Sequence, residues 1–246
     1  FLYFLCFGWN LLTPLFKQSQ WFGSLSLIIT AFWVIVQFLS PFLYAAVVVE
    51  LIALLSVPLL SPRGSPTGSG IIHYLSAQTI ALPLILLSGW MVSGIETSPS
   101  AEALVLRGAL LLMLGFVLWL GIFPLHSWLP MLTEESHPWT SSFLLTITQL
   151  NLTFFLLKVF NQYGWLRNLP ELILSLKWMG ALCIMSAGVI AAFQNKLKRI
   201  PAYFFLAETG YILLSIAFRG IGGLEILKMT LLPRVLAYWA LGFSAA

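Results

Sequence analysis

The stretch PFLYAAVVVELIALLSVPLL, residues 41–60, is apolar almost throughout and carries one charged side chain, Glu50, near its centre. A helix of about 20 mostly apolar residues spans the hydrocarbon core of a membrane and satisfies its own backbone hydrogen bonds, for which lipid offers no partners. Pro41 at one end and the polar loop SPRGSPTGSG at the other mark the limits of this helix. The stretch therefore predicts a transmembrane helix with a carboxyl group inside it.

Apolar runs of this length recur along the whole chain. Of its 246 residues, 60% are hydrophobic and 8% are charged, and the mean hydropathy is +0.97. A water-soluble domain could not bury this much apolar surface. The runs predict an all-α, polytopic transmembrane bundle that forms a single domain over residues 1–246. About nine spans are expected, at residues 1–16, 22–40, 41–60, 71–94, 103–123, 139–160, 171–193, 200–218 and 224–244.

The charged residues of the loops predict the orientation of the bundle. The net charge of +4 arises from 12 Lys and Arg against 8 Asp and Glu. Alternation of the spans sorts the loop cations into two faces, one with Lys17, Arg63, Lys196, Lys198 and Arg199, the other with Arg167 and Arg219. Because basic loops stay on the negative side of a membrane, the first face is expected to be cytoplasmic or matrix-like. Glu134 and Glu135 are expected to form a solvated turn.

Composition and spacing argue against several other kinds of site. Cys6 and Cys183 lie in separate apolar runs, so neither a disulfide framework nor a CxxC metal motif is predicted. His126 and His137 lack a third ligand at metal-binding spacing. The sequence contains no nucleic-acid footprint and no flavin, iron–sulfur or nicotinamide motif, so we expect no cofactor or metal on this chain. It begins with Phe1, lacks the features of a signal peptide, and is expected to be a fragment of a longer subunit.

The stretch GIFPLHSWLPMLTEESHPW, residues 121–139, places three prolines between two apolar runs. Pro124 removes a backbone donor and obstructs the turn before it, so the preceding helix is expected to break near Phe123. The segment predicts either an interfacial hairpin or a discontinuous helix that lines a hydrated cavity. His126 would lie at the break, where it could relay protons or act as a hydrogen-bonded brace.

Two carboxyl groups are expected inside spans. An ionised carboxylate in lipid is costly, so Glu50 should be protonated, paired or directed at a hydrated path, and it is a candidate functional residue. The alternative for Glu50 is a neutral side chain that is hydrogen-bonded to a neighbouring helix. Glu208 is a weaker candidate, because Thr209 and Tyr211 offer it nearby hydrogen-bond partners.

Three stretches resemble elements of one family. LGFVLWLGIFPLHSWLP, residues 114–130, resembles the PFHxWLP element of the antiporter-like proton-channel subunits of respiratory complex I and of multisubunit cation/proton antiporters. GVIAAFQNKLKRIPAYFFLAETGYILLSIA, residues 188–217, is similar to the AxxQxDxKRxLAYSTxxQxGYxLL element of that family. VVVELIALLSVPLL, residues 47–60, is similar to the ExxxLxxxxL helix that carries the pumping glutamate. The three elements occur in the order of the family.

The resemblance implies a subunit of fourteen helices built from inverted five-helix repeats, of which this chain would cover about the third to the eleventh. Residues 103–136 would form the discontinuous seventh helix, which favours the broken helix over the hairpin. The resemblance also implies that Glu50 is the conserved acid of the family and that His126 is the histidine of the PFH element.

The sequence departs from the family in its basic residues. The lysine that precedes the PFH element falls at Trp119, and the basic residues of the following helix fall near Thr146 and Leu152. The glutamate–lysine pair that shifts proton affinity in the family is therefore incomplete. Lys158, His126 or a neighbouring subunit would have to supply the missing charge. Lys158 is the weakest candidate, since it lies about two turns beyond the position expected for the lysine and its side chain is expected to extend toward the membrane interface.

The resemblance implies a membrane subunit of a complex I type NADH-quinone oxidoreductase that takes part in proton translocation coupled to electron transfer. Redox chemistry would occur on other subunits, so FMN, iron–sulfur clusters and quinone would be carried by the assembly. The expected partners are other membrane subunits and lipids, without nucleic acid, in the mitochondrial inner, bacterial plasma or thylakoid membrane. A cation/proton antiporter subunit and a non-pumping scaffold paralogue stay open as alternatives.

Overall fold

The computed structural model describes residues 2–13, 21–61, 68–97, 102–167, 169–218 and 223–245, and every regular element in these ranges is a helix. The α-helices are α1 (Leu2–Leu12), α2 (Phe22–Phe38), α3 (Phe42–Leu60), α4 (Ser69–Thr97), α5 (Glu102–Leu120), α6 (Trp128–Glu135), α7 (Pro138–Gln162), α8 (Gly164–Arg167), α9 (Pro170–Ala192), α10 (Ile200–Ala217) and α11 (Gly223–Ala245). A short 3-10 turn, Leu197–Arg199, precedes α10. The predicted all-α bundle is confirmed.

Nine of the described helices coincide with the nine predicted spans, and their ends lie within a few residues of the expected ones. The two additional helices, α6 and α8, are short. Five described helices are long and apolar enough to cross a membrane, namely those of residues 42–60, 69–91, 138–162, 170–192 and 197–217. The end of the first predicted span and the loop cations Lys17, Arg63 and Arg219 lie outside the described residues.

Helix α7 lies at the centre of the bundle. Its apolar segment is 83% buried, against 22% for α9, which presents most of its surface to the surroundings. α7 also carries buried polar side chains, among them Thr146, Asn151 and Thr153. Each of these three donates a hydrogen bond to the carbonyl one turn earlier in α7. Because their polar groups are satisfied within the helix, they can be buried at low cost.

Helices α5 and α6 form one discontinuous helix that runs antiparallel to α4. Gly115 packs against Ile85 of α4, and Trp119 accepts a hydrogen bond from Gln78. Further back along α4, Tyr74 contacts Trp128 and Gly70 contacts Met131. This order continues across the break without reversal, so the segment is a discontinuous helix and not a hairpin. The eight residues of α6 rise about 12 Å. This is close to half of a hydrocarbon core of about 30 Å, so we expect the break to lie near the middle of the membrane.

Gly121 ends α5, before Pro124 can do so. Gly121 has a φ of +59°, in the left-handed region that favours glycine. The N–H groups of Gly121 and Ile122 donate back to carbonyls of the last turn of α5 at 3.3 and 2.9 Å, as in a Schellman motif. The predicted break is therefore confirmed: α5 ends at Leu120, and the non-helical segment that follows contains Phe123 and Pro124.

Candidate functional site

Glu50 lies near the centre of α3, at the interface with α4. Thr79 Oγ1 of α4 donates a hydrogen bond to Glu50 Oε1 at 2.7 Å. The other oxygen, Oε2, is buried and has no hydrogen-bond partner among the described residues. The neighbouring helix thus orients the carboxyl group through the kind of hydrogen bond that was expected if Glu50 has a structural role. The carboxyl group also keeps one oxygen free to bind a proton.

Helix α4 connects Glu50 with the break between α5 and α6. Gln78, the residue before Thr79, donates from Nε2 to the carbonyl of Trp119 at 3.4 Å. One turn earlier, the Tyr74 ring lies 5.3 Å from the Trp128 ring at the start of α6. Because Gln78 and Thr79 are adjacent, the Glu50 carboxyl group lies at the same level of the membrane as the break.

His126 lies in the turn that joins α5 to α6. Its ring stacks on Phe123 with the ring centroids 5.5 Å apart. The Pro124 carbonyl is close to the ring, but no well-directed hydrogen bond reaches the buried Nδ1 atom. The side chain is therefore placed at the break, as predicted. Within the described residues, no hydrogen bond or ion pair joins it to Glu50, Glu208 or Lys158.

Lys158 binds the end of a neighbouring helix. Its Nζ atom donates to the carbonyls of Gln37 and Leu39 at 2.9 and 2.6 Å, at the carboxyl end of α2. A cation at this end of a helix satisfies free carbonyl groups and interacts favourably with the helix dipole. Lys158 is thus occupied by α2, and no described contact pairs it with Glu50.

Trp119 places an aromatic ring where the family resemblance implies a lysine. The side chain is fully buried, and its ring lies 5.6 Å from that of Phe116 and 6.2 Å from that of Phe155. The indole N–H has no hydrogen-bond partner in the described part of the chain. No cation therefore stands at this position, in agreement with the departure seen in the sequence.

Glu208 has a partner that the sequence analysis missed. Its Oε2 atom lies 2.7 Å from Nε of Arg234, which is buried in α11. Thr209 and Tyr211 are not the hydrogen-bond partners of Glu208 that were expected. Thr209 donates to a carbonyl of its own helix, and the Tyr211 ring lies under the Arg234 guanidinium. An arginine inside a predicted span could have indicated this pair, because such a charge requires a partner.

A group of charged residues closes one end of the bundle. Glu134 is ion-paired with Lys196 and Arg199, and the hydrogen bonds from these two side chains, together with their positive charges, lower the pKa of its carboxyl group. Glu135 Oε2 accepts the backbone N–H of Gly70 at 2.6 Å and so caps α4. The predicted turn is therefore wrong, because both residues end helix α6 and their carboxylates bind neighbouring segments. This group and the start of α7 lie at the same end of the bundle.

The described residues contain no cluster of three or more His, Cys, Asp or Glu side chains that could hold a metal ion. The candidate residues are instead one carboxyl group, Glu50, at the level of the helix break, and a second, Glu208, that is paired with an arginine. Such groups can bind and release protons. The fold and the site thus define a polytopic membrane protein with a discontinuous helix and two intramembrane acids.

Comparison with known proteins places this arrangement in a family. The sequence model of the family described as "NADH:quinone oxidoreductase/Mrp antiporter, TM" matches residues 72–238. The match covers more than half of the chain, and the chain belongs to this family. It is a multi-pass protein of an energy-conserving membrane.

Individual relatives are subunits of quinone oxidoreductases and related dehydrogenases. NADH-quinone oxidoreductase subunit N 2 of Thermodesulfovibrio yellowstonii is 27% identical over 57% of this chain and 30% of its own length. NAD(P)H-quinone oxidoreductase chain 5 of Picosynechococcus sp. is 30% identical over 56% of this chain and 20% of its own length. F(420)H(2) dehydrogenase subunit M of Methanosarcina mazei is 35% identical over 44% of this chain and 22% of its own length. The chain thus spans less than a third of the length of these relatives.

Proposed function

We propose that this chain is a membrane subunit of a complex I type NADH-quinone oxidoreductase and takes part in proton translocation coupled to electron transfer. The observation that carries the proposal is the position of Glu50 at the level of the helix break, through the adjacent residues Gln78 and Thr79. A broken helix exposes backbone carbonyls to a cavity in mid-membrane, where water can approach a carboxyl group. His126 is the candidate relay residue within the break.

The chemistry of this site would be limited to proton binding and release. Thr79 holds one oxygen of Glu50, and the free oxygen would take up and return the proton. Electron transfer would occur on other subunits of the assembly, with FMN, iron–sulfur clusters and quinone as cofactors. Those subunits and membrane lipids would be the partners of this chain.

A scaffold without pumping activity is the second candidate, and Trp119 favours it. The fully buried ring packs against Phe116 and Phe155 where the family places a lysine. Without that cation, Glu50 lacks the partner that would drive a switch between two protonation states. Lys158 does not replace it, because its ammonium group binds the end of α2.

The proposal is tested by E50Q in the intact assembly, reconstituted into sealed vesicles. We expect the ratio of protons translocated to electrons transferred to fall, although by less than the loss of a complete channel, because the lysine partner is missing. E171Q is the matched control, since Glu171 is exposed in the first turn of α9. A normal ratio in an E50Q assembly of normal composition would instead identify the chain as a scaffold.

A further inference from the structure

Arg234 carries a positive charge into the bundle and meets Glu208 there. The Nε atom of Arg234 in α11 lies 2.7 Å from Oε2 of Glu208 in α10, and the side chains are 7% and 21% exposed. Buried charges of this kind are costly unless they are paired or line a polar cavity. The arginine is enclosed, whereas part of the carboxyl side chain stays accessible. The pair thus combines a buried cation with a carboxyl side chain that is only partly enclosed.

Hydrogen bonds from three helices surround this pair. Gln149 of α7 donates to Thr209 Oγ1 at 3.0 Å, and the Tyr238 hydroxyl of α11 donates to Gln149 Oε1 at 3.0 Å. All three side chains are buried. Thr209 follows Glu208 directly, and Tyr238 lies one turn after Arg234 on the same face of its helix. The network therefore fixes α7, α10 and α11 around the two charges.

A small cavity with a mainly apolar lining and a few polar side chains adjoins the arginine. It is lined by Thr146, Gln149, Thr153, Arg234 and Tyr238, together with apolar side chains, and it has room for about one water molecule. The Nη2 atom of Arg234 is buried and has no hydrogen-bond partner among the described residues. A buried donor of this kind is costly unless it binds such a molecule. The guanidinium group therefore offers a site for water beside the pair.

Arg234 is the charged group in direct contact with Glu208. Helix α10 packs against α6, α7, α9 and α11. Titratable groups on α10 itself include Tyr203, which accepts from Gln194, and Tyr211. The neighbouring helices carry Arg234, Tyr238 and Glu225 on α11, Cys183 and Lys177 on α9, and Glu134 on α6 with Lys196 and Arg199 beside it, while α7 presents the neutral Gln149. Lys177 lies over the Phe218 ring at the end of α10, and Glu134 is paired with its own cations.

We propose that Glu208 is a second proton-binding site in this chain and that Arg234 is its fixed counter-charge. In the ionised state the pair has no net charge. A hydronium ion transfers its proton to the Glu208 carboxylate and leaves water and a neutral carboxyl group, while Arg234 keeps its charge. The reverse step returns the proton to water. The inference rests on the proposed function for its role in translocation, but proton uptake by Glu208 can be measured separately.

The test uses infrared difference spectroscopy on the intact assembly. Wild type, E208Q and E50Q are titrated from about pH 9 to about pH 5, where buried carboxyl groups bind protons. We expect a carboxyl C=O band in the wild type that is lost in E208Q and kept in E50Q. The E208D variant should restore a band at a shifted position. If E208Q fails to assemble because Arg234 is left unpaired, E208Q/R234Q removes both charges and keeps both polar groups.

An ion pair with a purely structural role would keep Glu208 ionised over this range. Identical carboxyl bands in the wild type and in E208Q, or in E208Q/R234Q where that variant is needed, would overturn the inference. Loss of one band in these variants supports it. The proton-to-electron ratio of E50Q tests the proposed function by itself. A normal ratio in E50Q would reject that function without removing the Glu208 band, so the two ideas can fail separately.

Discussion

At the scale of single residues, the partner of each charged side chain in the bundle decides what that side chain can do. Lys158 is bound to two carbonyls of α2 and serves as a fixed charge at a helix end. Arg234 is likewise fixed, because a guanidinium group does not lose its proton in proteins. Glu50 and Glu208 differ from both, since a carboxyl group can change its protonation state while it keeps its neighbours. We therefore propose proton exchange at these two acids.

His137 makes the stability of the chain dependent on pH. Its Nδ1 atom accepts the backbone N–H of Trp139 at 3.3 Å and caps α7. Burial lowers the pKa of this imidazole below its ordinary value of 6.5, and the charge of Lys198 lowers it further. The unfolded chain thus binds the proton more readily than the folded chain. The stabilisation is complete above the ordinary pKa and is lost as the pH falls through the lower folded-state pKa.

The measurement is the melting temperature of the chain in lipid nanodiscs between about pH 7.5 and about pH 5, the interval in which histidine titrates. We expect the wild type to lose more stability on acidification than H137N, because asparagine caps a helix without titrating. Parallel pH profiles for the two chains would contradict this role of His137.

The two acids could be predicted from the sequence, and Arg234 is visible inside a predicted span, but the pairing of Glu208 with Arg234 could not be predicted. Glu50 and Glu208 are conspicuous because each interrupts an apolar run. The contact between Glu208 and Arg234 depends on how α10 packs against α11, and the apolar periodicity of a span does not encode that geometry. The ion pairs of Glu134 were missed for the same reason, since they join α6 to a distant turn.

At the scale of helices, the lengths of the apolar runs predicted which segments are helical, and backbone geometry determined where α5 ends. All nine expected spans are helices in the described ranges, because a run of apolar residues in lipid has no alternative way to satisfy its backbone. The break between α5 and α6 was expected from Pro124, but Gly121 ends α5 through its left-handed conformation. Glycine before proline is itself a signal for a helix end, and it locates the break more closely than the proline does.

Close packing of α9 against α10 depends on two facing glycines. A Cβ atom on Gly180 would lie 2.8 Å from the Gly210 carbonyl oxygen, and backbone cannot move away as a side chain can. Gly188 of the same helix has no atom within 4 Å of such a Cβ position. G180A is therefore expected to destabilise the chain by about 1 to 3 kcal/mol through overpacking. G188A should stabilise it by up to about 1 kcal/mol through helix propensity.

The free energy of unfolding of both variants can be measured by denaturant titration in micelles. Because G180A and G188A add the same methyl group to the same helix, their difference isolates the contact with α10. Equal effects of the two substitutions would show that the helices do not approach each other at Gly180.

At the scale of the whole molecule, charged side chains join several segments at one end of the bundle. The start of α4, the end of α6 and the turn before α10 are joined there by Glu134 and Glu135. The turn carries Lys196, Lys198 and Arg199, and a basic face of this kind is expected on the negative side of the membrane. Glu134 pairs with both Lys196 and Arg199, and the three cations of the turn outnumber the two acids on that face.

Cysteine labelling from each side of the membrane tests this orientation. Lys198 is exposed in the basic turn, and Gly164 is exposed just beyond the other end of α7. The 25 residues of α7 rise about 37 Å, which is enough to cross the bilayer, so the two positions should lie on opposite sides. A side chain also fits at Gly164, since no atom lies within 4 Å of its Cβ position. The native cysteines, Cys6 and Cys183, are buried and should react slowly.

A membrane-impermeant maleimide is added to sealed vesicles of known orientation that hold K198C or G164C. We expect K198C to be modified from the negative side and G164C from the positive side. Modification of each cysteine from the reverse side would leave the fold intact but overturn the assignment of the basic face, and with it the direction in which Glu50 and Glu208 would pass protons. Modification of both from one side would mean that α7 does not cross the membrane. The break would then lose its position in mid-membrane, and the physical reason for placing water beside Glu50 would be removed.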